Sequence, residues 1–78
     1  MASERRLVGA ALEDAMRMGR WRILGRRARL SRLYFQLRAD GVGWRRARSL
    51  VRRTRTAVRG LRKEPVALDV ALDLILAG

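Results

Sequence analysis

Seventy-eight residues carrying 19 Lys+Arg against 7 Asp+Glu, a formal charge of +12, with 49% of positions apolar, describe one small basic domain over residues 1–78 and not a disordered tail. Chains of this length bury only about 60% of their unfolded surface, which leaves one thin core and little room for an enclosed substrate pocket. With no Cys and no His in the chain, disulfides, thiol nucleophiles, the usual zinc ligand sets and the commonest proton-transfer side chain are all removed, so a binding protein without metal or cofactor remains.

The first predicted helix covers 4–18. Ser3 followed by Glu4 resembles a helix start, because a Ser oxygen accepts from the free amides of the first turn and an early Glu suits the positive end of the dipole. Leu7, Val8, Ala11, Leu12, Ala15 and Met16 then recur at helical spacing, with Gly19 as an end or bend. Residues 1–12 hold Glu4, Arg5 and Arg6 and no signal-peptide apolar stretch.

A second helix is predicted over 20–39, apolar on two sides. Ile23, Leu30, Leu33, Tyr34 and Leu37 form one stripe, and Trp21, Leu24, Ala28 and Phe35 form another. Arg22, Arg26 and Arg29 make one basic ridge between them, and Arg20, Arg27 and Arg38 make the other. Such a helix is either sandwiched between neighbours or offers its second stripe to a partner, a second copy of the chain included. Asp40-Gly41 supplies the stop.

The third predicted helix, 44–62, has the clearest pattern. Trp44, Ala47, Leu50, Val51, Thr54, Ala57, Val58 and Leu61 form one continuous apolar stripe, as on a helix that lies on a core. Beside it Arg45, Arg48, Arg52, Arg55, Arg59 and Arg62 step by 3, 4, 3, 4 and 3 residues. On a continuous helix all six project from one face over about 25 Å. Arg46 and Arg53 extend the charge to the opposite flank and are grouped with the lane as candidate anion-binding residues.

Pro65 suits a first helical position, and a short, largely buried fourth helix is predicted over 65–77. Asp69 and Asp73, four residues apart, share one of its faces. The apolar run 66–77 is too short to span a bilayer and carries these two charges. The expected protein is therefore a soluble, cytoplasmic, all-α bundle of three to four helices.

Charge is concentrated in the middle of the chain. Residues 1–18 balance to zero, residues 19–63 carry +15, and residues 64–78 carry −3, with Lys63 the only lysine. Arginine presents a planar fork that fits phosphate and carboxylate better than an ammonium does. The arginine lane lacks Glu partners at i,i+4, and its five adjacent like-charge pairs cost on the order of 1–2 kcal/mol in all. Glu13, Asp14, Asp69 and Asp73 could fold back against it, but cannot neutralise sixteen bases. The lane is thus expected to bind an anion, with nucleic acid the commonest ligand carrying regular charge. Base-specific readout is not indicated, since the chain has no Asn and Gln36 is its only Gln. Trp21, Tyr34, Phe35 and Trp44 sit at core-type spacing and are expected to pack rather than to stack on bases.

Chemistry finds no constellation. Glu13 and Asp14 project about 100° apart on a helix, Asp69 and Asp73 have no His or metal-type companion, and Ser3, Ser31 and Ser49 have no general base beside them. No enzyme is expected.

The stretch 37–61, LRADGVGWRRARSLVRRTRTAVRGL, resembles the helix-turn-helix of resolvase and transposase families at Gly41, Trp44, Val51, Thr54, Arg55, Thr56 and Val58. The resemblance implies that Thr54, Arg55, Thr56 and Arg59 face DNA at the start of a recognition helix. Arg48 stands where those families place a small Ala and Arg52 where they place the turn Gly, which favours an uninterrupted helix. In build, a very short, Arg-rich chain without cysteine is similar to small phage-encoded inhibitors, anti-CRISPR proteins among them. That likeness implies a cationic face set against an acidic protein or nucleoprotein surface, blocking access to target DNA in the host cytoplasm.

Overall fold

A computed structural model describes residues 2–17, 23–63 and 67–77. It contains four helices: α1 (Ala2–Arg17), α2 (Ile23–Ala39), α3 (Trp44–Lys63) and α4 (Leu68–Leu76). The molecule is a small all-α bundle, 32 × 26 × 17 Å across its Cα atoms. α1 and α3 each pack against all three other helices, whereas α2 and α4 flank them without touching each other. No helix is long and apolar enough to cross a membrane among the described residues.

The amphipathic periods decide what is buried. Val8 and Leu12 from α1, Leu37 from α2, and Ala47, Leu50 and Thr54 from α3 are wholly inaccessible, and Ala71, Leu72 and Ile75 of α4 close the same core. Thr54 is the one polar side chain buried among the described residues. Its hydroxyl donates to the Leu50 carbonyl one turn back, at 2.7 Å, so its burial leaves no unpaired donor.

Boundaries differ from the sequence expectation in two places. α1 already begins at Ala2, which puts Ser3 inside the first turn and not ahead of it as a cap. α4 begins at Leu68, after Ala67, whose carbonyl accepts from the Val70 and Ala71 amides at 3.1 and 3.2 Å without a side-chain cap. Gly19, Arg20, Trp21, Arg22 and Pro65 lie outside the described residues. α3 runs unbroken for 20 residues, so the uninterrupted alternative is the one its backbone adopts.

The α2–α3 connection is a Schellman turn. The Val42 amide donates to the Leu37 carbonyl and the Gly41 amide to the Arg38 carbonyl, both at 3.0 Å. Gly41 has φ of 91°, a left-handed conformation in which a side chain costs roughly 1–2 kcal/mol. Gly41→Ala is therefore expected to lower unfolding free energy by about that much, although no neighbour lies within 4 Å of the added methyl. Urea denaturation followed by far-ultraviolet circular dichroism measures it; an unchanged midpoint would show that the turn carries no strain.

Candidate functional site

Because α3 is continuous, its arginines divide into two populations that meet different surroundings. Arg45, Arg48, Arg52, Arg55 and Arg59 are all exposed, on the face turned away from the core. At 1.5 Å per residue they extend over about 21 Å. None of the five forms an ion pair with a described residue. The Arg62 side chain, the sixth expected member, lies outside the described side chains, as does that of Arg26.

Arg46 and Arg53 occupy the other flank, seven residues apart and facing α1 and α4. Arg46 makes a two-point contact with Glu4 of α1, Nε to Oε2 and Nη2 to Oε1, both at 3.3 Å. Its Nη2 also donates to the Leu76 carbonyl at 3.0 Å, so one guanidinium joins three helices. Arg53 Nη1 donates to the Ile75 carbonyl at 3.1 Å. These carbonyls belong to the last turn of α4, which has no base of its own there. Cations supplied by α3 thus satisfy its free acceptors and the negative end of its dipole. Both arginines are half-buried and engaged within the fold, which sets them apart from the exposed lane with which they were grouped on sequence.

The acids that could have shielded the lane are placed elsewhere. Asp73 pairs with Arg5 at 2.9 Å, Asp14 with Arg29 of α2, and Glu4 with Arg46. Glu13 and Asp69 are exposed and form no ion pair with a described residue. The basic ridges of α2 therefore separate by function: Arg29 ties α2 to α1, and Arg38 donates to the Val42 carbonyl at 3.2 Å in the turn. Arg27 reaches the groove between α2 and α3.

That groove is open to solvent, has a volume of about 490 Å³ and runs along the lane. Arg27 lies on its α2 side, Arg48, Arg52 and Arg55 on its α3 side, and no described carboxylate lines it. Two aromatic residues border it. Tyr34 is half-buried, and Phe35, whose ring stands edge-on to it at 5.4 Å and 81°, is 68% exposed.

Phe35 and Trp44 correct the expectation that the aromatics pack in the core. Phe35 belongs to the second stripe of α2, and its described companion Ala28 is exposed as well, so α2 is not sandwiched at these two positions. Trp44 is 51% exposed. It is the stripe member nearest the lane at 100° per residue, and it lies a turn before Ala47, the first inaccessible position of α3. The Arg45 guanidinium stands 5.3 Å from its ring centroid, a cation–π contact at the head of the lane. Thr54 is corrected too. Its inaccessible side chain cannot face DNA as the helix-turn-helix resemblance implies, whereas Arg55, Thr56 and Arg59 are exposed. Comparison of the chain with models of protein families, with curated proteins and with solved structures finds no match.

Proposed function

We propose that this is a non-enzymatic binding protein whose lane on α3 engages nucleic acid, free or within a nucleoprotein machine, and that it acts by occupancy. One observation carries the reading: five exposed arginines share a face of one helix, while the paired acids Glu4, Asp14 and Asp73 are committed to Arg46, Arg29 and Arg5. A solvated helix face ordinarily mixes signs, since like charges at i,i+4 are destabilising and opposite ones stabilising. Here the compensating charge has to come from outside the described fold, and a phosphate backbone supplies it at regular spacing. Guanidinium forks suit phosphate in particular, because they form two parallel hydrogen bonds to it.

Salt dependence tests this directly. Each phosphate neutralised releases condensed counterions, so five contacts give a slope of log affinity against log salt of about −4.5 on duplex DNA and about −3.5 on a single strand. Fluorescence anisotropy of labelled oligonucleotides across a salt series reads the slope. A slope shallower than about −1 would remove the lane as a phosphate-binding surface. Absence of binding to any oligonucleotide even at low salt would instead assign the face to an acidic protein surface, the mode of the phage-encoded inhibitors that the chain resembles in build.

A further inference from the structure

Resting on that reading, we infer that the groove between α2 and α3 takes an unpaired base of a single strand, stacked on Phe35 with its flanking phosphates on the arginines. The lane alone does not distinguish duplex from single strand, since both offer phosphates. The aromatic edge of the groove does. Phe35 is 68% exposed and its ring meets that of Tyr34 edge-to-face, which leaves most of its surface open to a ligand. It borders a concave cationic site formed by Arg27 from one helix and Arg48, Arg52 and Arg55 from the other. A site of about 490 Å³ falls within the roughly 300–1,000 Å³ of small-ligand pockets, large enough for a nucleotide unit.

In a duplex the base faces are buried against one another, and a ring beside the phosphates gains nothing from them. An unpaired base offers a free π face, and stacking on an aromatic side chain is tolerant of sequence because every base has one. The combination of a cationic track with an aromatic platform is what single-strand binding requires. It also agrees with the shortage of amide side chains for reading base edges, Gln36 being the only Gln and Asn being absent.

The test compares oligo(dT), oligo(U) and a duplex, each of about 20 nucleotides or base pairs, by anisotropy at one low salt concentration. The proteins are the wild type, Phe35→Ala and Phe35→Tyr. Phe35→Ala is expected to weaken binding to the single strands by about five- to hundredfold and to leave duplex affinity within about twofold; Phe35→Tyr keeps the ring and should restore it. The oligo(dT) and oligo(U) arms separate DNA from RNA as the natural source of the strand. Because Phe35 is exposed, the variants should fold, and their helical circular dichroism verifies that. Equal loss on all three ligands, or none, overturns the stacking role and leaves the lane's phosphate binding standing. Absence of binding to every oligonucleotide overturns both, and points to an acidic protein surface instead.

Discussion

Replacing Arg48, Arg52 and Arg55 together with Glu should lower duplex-DNA affinity by about 500-fold, and single-strand affinity by about 100-fold, near 100 mM salt while leaving the bundle folded. The first part follows from counterion release: deleting three phosphate contacts removes about 2.7 from the slope on duplex DNA, which near a tenth molar is a factor of about 10^2.7 before any new repulsion is counted. The second follows from where these side chains are. All three are exposed, none is ion-paired with a described residue, and each stands within a helical turn of another lane arginine. Reversing them turns the Arg45–Arg48 and Arg55–Arg59 spacings from repulsive to attractive, each changing by a few tenths of a kcal/mol. The urea midpoint is therefore expected to hold or to rise as binding disappears. Anisotropy and circular dichroism on the same preparation check both halves; retained affinity in a folded variant would remove the lane from the mechanism.

Thr54→Pro should be the most damaging single change in α3. Thr54 lies in the middle of a 20-residue helix, with no solvent access and its hydroxyl on the Leu50 carbonyl. Proline there removes the amide that the helix needs, sets its ring against that same carbonyl, and kinks a segment packed on three neighbours, at a cost of about 3 kcal/mol or more. A 78-residue chain has about 4–12 kcal/mol of total stability at 0.05–0.15 kcal/mol per residue, so much of it would be lost. The control is Thr54→Val, which keeps the branched shape and gives up a hydroxyl whose acceptor still has its backbone donor; its change should stay within about 1 kcal/mol. At the head of a separate recognition helix, position 54 would accept proline readily. Urea titration of both variants decides: a tolerated Thr54→Pro would contradict a continuous α3.

Periodicity made much of this legible. The stripe Ala47, Leu50, Thr54 and Val58 is buried as its spacing predicts, Thr54 included, because on an amphipathic helix angle alone selects the inward face. The five described members of the lane are exposed for the same reason. What angle cannot convey is which neighbour covers a second face. Phe35 and Trp44 have apolar side chains at helical spacing, yet no described helix covers Ala28 and Phe35 of the second stripe of α2, and Trp44 falls at the edge of contact. Nor does spacing show partners distant in sequence. Arg46 and Arg53 look like more lane until Glu4, 42 residues from Arg46, and the Leu76 and Ile75 carbonyls, 30 and 22 residues away, are brought to them by the fold.

The grip of Arg46 and Arg53 on the end of α4 bears on the order of assembly. Nine residues fall short of the roughly 12–15 that an isolated helix needs to persist in water, and α4 has neither a side-chain N-cap nor a base in its last turn. The second deficit is made good by Arg46 and Arg53 on the Leu76 and Ile75 carbonyls, contacts that cannot form before α3 is wound and its two guanidinium groups stand a fixed two turns apart. α4 is thus the element whose structure should arrive late, after the folding barrier has been crossed. Its contacts would then govern how slowly the bundle comes apart more than how fast it forms.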